Sequence, residues 1–420
     1  MTKLILALHL FLISSFAFFS TTPLKSTTSA SEIALCHSMP EENTLLMQDT
    51  PNDPTKIYSM PLLAKTVKGE VMLSWTEKDA QGMVSLCVAF SKDNGKTFSE
   101  KKTIYSGPGI GNSRMMRAKV LSKKDGSFVA VFTNRGETAA PQSGRGGRSS
   151  NLVYCVSKDG GTTWTAPQSV DSDPKQGIVR GFFDAVVMSN DEIAVTYLKD
   201  VANSTKHEER DLRLVVSKNG VMQPEKLIDP VVCDCCPINL FVDGTGALTV
   251  IYRDNNDDIR DMAKMVSTDN AETFLKSQIL HNDGWKIKGC PHSGAVSSTN
   301  EKGTLISWFS GAESEKGIRL ATQEGKKLLV INDPSAKNQA LVSGEQTSVL
   351  LWEQNKAEDG LSQIAFRKIK NNKVSETAWV EESLNGTNAV GLTVGNQLLL
   401  AYEVKQANGK SSLKVSTLAL

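Results

Sequence analysis

Beyond its first twenty residues, this sequence has no apolar run long enough to cross a bilayer, almost no net charge and no evident long helix. The first lack argues against a membrane-embedded body, since a spanning helix needs about 20 consecutive apolar residues. The second comes from 47 Lys plus Arg set against 46 Asp plus Glu, a formal net charge of +1. That balance gives no reason to expect a nucleic-acid partner or an anionic membrane surface. The third leaves strands as the building material and an all-β fold class as the expectation.

What is present starts at the N-terminus. Met1-Thr2-Lys3 carries one positive charge, an apolar run extends from Leu4 to about Phe19, and a Ser/Thr-rich tract follows to Ala30. This is the layout of a secretory signal peptide over residues 1–30. The expectation is an exported protein, periplasmic or extracellular, with residues 31–57 as a polar lead-in and 58–420 as the folded body. Seven cysteines lie beyond residue 30: Cys36, Cys87, Cys155, Cys233, Cys235, Cys236 and Cys290. In an oxidising compartment the default is disulfides, and an odd count leaves one thiol otherwise engaged.

The strongest internal signal is repetition. Ser91-Lys92-Asp93-Asn94-Gly95-Lys96-Thr97-Phe98 returns as Ser157-Lys158-Asp159-Gly160-Gly161-Thr162-Thr163-Trp164. It returns again, without the glycine, as Ser267-Thr268-Asp269-Asn270-Ala271-Glu272-Thr273-Phe274, and a worn copy stands at Ser217-Lys218-Asn219-Gly220. In such a stretch the Asp caps a tight turn through backbone N–H groups, Gly accepts a left-handed conformation, the hydroxyls close the turn and the aromatic packs below. The S-x-D-x-G-x-T-[W/F] pattern resembles the Asp box of sialidases and related BNR-repeat β-propellers. That resemblance implies a propeller of four-stranded blades with the boxes joining strands three and four, and it speaks for fold rather than activity.

Short apolar runs punctuated by Gly, Asn and Asp recur about every 45 residues, as in Val71 to Trp75, Phe128 to Phe132, Leu248 to Tyr252 and Val349 to Trp352. We count seven such units, whereas the sialidase resemblance implies six, so the reading favours seven blades. The last unit stops one strand short, and Glu32 to Leu46 is available to close the ring. A ring closed on itself is expected to be a monomer. Trp75, Trp308 and Trp352 recur at the ends of second strands and read as packing, Cys87 and Cys155 as core thiols, and His207 and His281 as solvated loop residues.

The loops and connections on the face away from the Asp boxes hold the candidate chemistry. Ten of the twelve arginines fall between Arg114 and Arg260, and guanidinium groups suit a carboxylate or phosphate ligand. Arg114, Arg180, Arg253, Arg260 and Trp285 are the candidate ligand contacts. In sialidases an arginine triad holds the substrate carboxylate, a Tyr assisted by Glu is the nucleophile and an Asp is the acid/base. The resemblance offers Asp184 and Asp254 for the last role. It departs from the family at Tyr58-Ser59-Met60-Pro61, where the first arginine is missing, and in the last two units, which offer no Tyr beside a loop arginine. The same arginines could instead pair with Asp184, Asp254, Asp257, Asp258 and Asp261 between blades.

The sharper cluster is Cys233-x-Cys235-Cys236-Pro237 with Gly289-Cys290-Pro291-His292. The two segments begin successive blades at equivalent positions and should meet in space. One reading is disulfides, joining Cys290 to one of the three or Cys235 to Cys236. The other is a redox or soft-metal site, since Cys233, Cys235, Cys236, Cys290 and His292 are ligand types that select Cu or Zn. Against a single ion stands the alternation of side chains in an extended chain, which would point Cys235 and Cys236 apart. Three functions therefore stay open. They are an exported propeller that binds an anionic glycan, with or without hydrolysing it as an exo-glycosidase, a non-hydrolytic periplasmic metal or redox protein, and an interaction scaffold.

Overall fold

The computed structural model describes residues 53–135, 151–173, 179–201, 209–356 and 360–420, with Arg180 described by its backbone alone. Strand after strand pairs antiparallel with its predecessor to give seven sheets, six of four or more strands and a seventh of three. Their first strands are Ile57–Lys65, Lys119–Ser122, Val179–Val187, Asn239–Val242, Val296–Asn300, Lys337–Ser343 and Gly386–Val394. The one helical turn among the described residues is Arg114–Met116. No helix among the described residues is long and apolar enough to cross a membrane.

The sheets are blades because each is packed on both faces. Second strands such as Val71–Lys78, Leu248–Arg253 and Ser348–Asn355 are buried almost end to end, which is why they read in sequence as unbroken apolar runs. Seven separate cores sit between successive blades. Leu86, Val88 and Val120 join blades one and two, and Val131, Tyr154 and Val195 join two and three. The series continues round to Leu351, Val349 and Leu400 between six and seven. Tyr58, Leu63 and Trp75 then meet Val390, Leu399 and Leu413, so that blade seven packs on blade one. The Met60 N–H donates to Glu403 at 2.8 Å and Ser411 Oγ donates to the Tyr58 carbonyl at 2.6 Å across this seam. Seven seams make a seven-bladed β-propeller. The proposed ring-closing strand, Glu32 to Leu46, lies outside the described residues, as do Cys36 and His207.

The Asp boxes occupy the turns between strands three and four of blades one, two and four. In the first, Ser91 Oγ donates to Asp93 at 2.7 Å and accepts from the Gly95 N–H, while the Thr97 N–H and hydroxyl donate to Asp93 at 2.9 and 2.6 Å. The boxes at Asp159 and Asp269 repeat these bonds. Ala271 takes the glycine position with φ of 68°. The worn copy in blade three is rescued by Glu192, whose carboxylate accepts from Ser217 Oγ and the Gly220 N–H in place of the missing Asp.

Hydrogen bonds from Thr273 and Ser267 hold the Asp269 carboxyl down to about 2. Burial pushes Asp93 up, but bonds from Thr97 and Ser91 outweigh it and bring it to about 2. A carboxyl depressed in the folded state stabilises the fold in full above its unfolded value, about pH 4, and ceases to do so as pH falls through its folded value. The urea midpoint is therefore expected to decline between about pH 4 and pH 2, and to decline less in Asp269→Asn. An equal decline in that variant would show that the boxes do not couple folding to acid.

Burial also raises the core thiols, Cys87 to about 12 and Cys155 to about 11, as inert packing residues. Trp75, Trp308 and Trp352 are fully buried and donate from Nε1 to Glu77, Asp283 and Gln354. First strands from all seven blades line a central cavity of about 280 Å³. One residue from each is Leu63, Lys119, Asp184, Asn239, Val296, Leu341 and Val390.

Candidate functional site

The last strand of blade three, Lys226–Cys233, ends at the first cysteine, and the chain bends at Asp234 and Cys235 before Pro237 leads into blade four. The divergence expected of Cys235 and Cys236 holds for an extended chain, and the bend removes it. Cys233, Cys235 and Cys236 are buried against Phe182, their sulfurs all lie within 4.8 Å of one another, and Cys233 and Cys236 Sγ are 3.6 Å apart. The connection into blade five brings up Cys290 and His292, both exposed, whose donor atoms lie within 4.8 Å of Cys235 and of each other. All four of these cysteines are unbonded to another cysteine. Two of the supporting backbone positions are strained, Val231 with φ of 61° and His292 with φ of 49°, as occurs where surrounding structure over-determines a site.

Two charged residues attend the sulfurs. Arg260, fully buried, hydrogen-bonds Cys233 and lies 3.8 Å from Asp234. Asp234 accepts from the Cys290 thiol at 3.3 Å. Hydrogen bonds from Cys235 and Cys236, with Arg260 close by, hold Cys233 well below an ordinary thiol. Burial raises Cys236, and the bond to Cys233 raises Cys235. Asp234 carried no sequence signal beyond its place inside Cys-x-Cys.

The arginines are placed differently. Arg253 is buried and donates to the Ser293 carbonyl at 3.0 Å, the Phe309 carbonyl at 2.9 Å and the Arg260 carbonyl at 2.5 Å. Its guanidinium sits 4.8 Å over the ring of Trp285, itself buried. Asp261 accepts from the Gly284 and Trp285 N–H groups at 2.9 and 3.0 Å. Arg253, Asp261 and Trp285 therefore clamp the Asp283–Ser293 connection, which carries Cys290 and His292, onto the Asp254–Asp261 loop. Asp254 accepts from Asn255 and Asn256 within that loop. Asp184 takes Lys119 at 2.6 Å and the Leu240 N–H at 2.9 Å on the wall of the central cavity. Arg114 donates to Asn338 at 2.6 Å and the Gln339 carbonyl at 3.2 Å. The Arg180 side chain lies outside what is described. The structure gathers the Cys/His set at one point and disperses the Arg/Asp set over three.

A second cavity of about 340 Å³ adjoins the cluster, lined by His292 on one side and by Arg114, Lys316, Asp333 and Lys337 on the others. Two tyrosine–carboxylate pairs occur elsewhere, Tyr197 with Glu225 and Tyr252 with Asp229. Burial, then the carboxylate bond, pushes both phenols far above the ordinary tyrosine value, which opposes service as a nucleophile. His281, expected in solvent, instead meets Asp283 at 2.7 Å.

Asp boxes at the strand-three-to-four turns of an antiparallel propeller define this molecule, at the level of fold, as a sialidase-like β-propeller. No protein-family model and no curated protein matches the sequence. Among solved structures, a protein of unknown function from Dyadobacter fermentans superposes with a TM-score of 0.54 at 14% identity, covering 87% of this chain and 95% of that one. An ulvan lyase bound to -[GlcA(1-4)Rha3S]- gives 0.52 at 9% identity over 87% and 94%, and the microbial sialidase Hz136 gives 0.47 at 16% over 75% and 66%. A polysaccharide lyase thus stands among its neighbours, and at these identities the likeness is one of fold.

Proposed function

We propose that this chain is a soft-metal-binding propeller in which Cys233, Cys235, Cys236, Cys290 and His292 hold Cu(I) or Zn(II). The single observation that carries the reading is the meeting of five soft donors, from two blade connections, around Cys235. Thiolate and imidazole are the donors these ions prefer over harder ones. The 3.6 Å between Cys233 and Cys236 far exceeds the ~2.05 Å of a disulfide. It is close to the ~3.8 Å edge of a tetrahedron built on a Zn–S bond of about 2.3 Å. Arg260 offsets thiolate charge, and Arg253 with Trp285 fixes the connection that carries two of the ligands. The signal-peptide-like layout of residues 1–30 supports export, and an exported chain would meet metal outside the cytoplasm. The test is metal content and thiol count, compared between the native chain and Cys235→Ser.

A second reading, binding of an anionic glycan, is favoured by the cavity that Arg114, Lys316 and Lys337 line. It keeps binding and leaves hydrolysis aside, because Asp184 is committed to Lys119 and the Leu240 N–H. Arg114→Ala is expected to abolish retention of acidic oligosaccharides on an affinity gel, and undiminished retention would end this reading.

A further inference from the structure

We infer that the cluster is not one metal position but two, sharing the thiolate of Cys235. The inference rests on the soft-metal reading above and adds number, place and accessibility to it.

Two donors bound to one ion can be no farther apart than the sum of their bonds to it, about 4.6 Å for two thiolates at about 2.3 Å each. Cys233, Cys235 and Cys236 satisfy a 4.8 Å limit among themselves, and so do Cys235, Cys290 and His292, but the five do not form one such group. Cys235 alone belongs to both. A single ion would strand at least one donor, whereas two three-coordinate ions use all five with Cys235 as a bridge. A thiolate sulfur has lone pairs enough for two soft ions, and adjacent cysteines become useful once the bend at Asp234 turns both inward.

The positions differ in surroundings. The Cys233–Cys235–Cys236 position is buried, with Arg260 against it. The Cys235–Cys290–His292 position faces solvent, and His292 also lines the 340 Å³ cavity. The buried ion is therefore closed off, while the outer one keeps an open side for an exchanging ligand or for entry of metal from outside. With Cu(I), two ions and four thiolates leave two negative charges, one of them balanced by Arg260. Each thiol that binds gives up its proton to solvent, and no electron is transferred.

The experiment is anaerobic titration of the reduced full-length chain with Cu(I) against a competing chelator, followed by X-ray absorption. Two Cu(I) per chain with a copper–copper shell are expected. Cys290→Ser and His292→Asn should each bind one Cu(I) and lose the copper–copper shell. Both residues are exposed, and Asn tolerates the left-handed backbone at 292, so near-ultraviolet circular dichroism should be unchanged. One Cu(I) in the native chain, or two retained in either variant, overturns the shared centre while leaving the metal reading intact. No Cu(I) bound at all would remove both.

Discussion

Asp283→Ala is expected to lower the stability of the propeller by about 3–5 kcal/mol, the cost of leaving a buried charge without its partner. The Asp283 side chain is fully buried, and Arg319, only 2% exposed, meets its Oδ1 at 2.5 Å. Trp308 Nε1 donates to the other oxygen at 2.7 Å and His281 Nδ1 approaches at 2.7 Å. Removing the carboxylate strands three groups at once, in the seam where Trp308 packs among Ile251, Met262 and Ile306. Arg319 would keep only Glu315, through its carbonyl at 2.5 Å and its carboxylate at 3.6 Å. Asp283→Asn retains acceptors and loses the charge, so it should fall between alanine and native. The measurement is urea unfolding, with a lowered midpoint and an unchanged slope. A loss below about 1 kcal/mol would mean that Arg319 finds adequate partners elsewhere.

The second large effect is on metal. Protein purified without chelator is expected to carry stoichiometric Cu or Zn, with Cys233, Cys235, Cys236 and Cys290 unoxidised. Cys235→Ser should come away empty. Serine nearly preserves the buried volume, so the ring survives, yet the one sulfur common to both donor groups is gone. The loss should exceed the ~10–100-fold that removal of an outer-shell partner costs a metal site. Arg260→Met, which takes charge from beside Cys233 without touching a ligand, should stay within that smaller range. Metal-free native protein with Cys233, Cys235, Cys236 and Cys290 paired, and Cys87 and Cys155 still free, would instead make the cluster a disulfide staple and turn attention to acidic sugars at Arg114.

Legibility followed the range of the interactions involved. The Asp boxes could be read because their bonds join residues two to four apart, as from Ser157 to Asp159 and Asp159 to Thr163. The strand runs could be read because packing on both faces demands continuous apolar sequence. Even the meeting of Cys235 and Cys290 could be anticipated, since equivalent positions in successive blades are neighbours. The loop arginines could not be assigned in this way. Arg253 looked like a ligand contact and is committed to carbonyls 40 and 56 residues away. His281 and Asp283 likewise acquire their roles only through Arg319 and Trp308.

The sequence by itself determined an all-β propeller, the turns that cap its blades, and the two segments that carry its soft donors. Those outcomes depend on local hydrogen bonding and on a period that recurs along the chain. Only the tertiary structure decided which arginines are scaffold, how Cys235 comes to face two sets of partners, and that seven seams close the ring. Burial, charge compensation and donor geometry belong to surfaces made by several distant segments, and no one segment carries them alone.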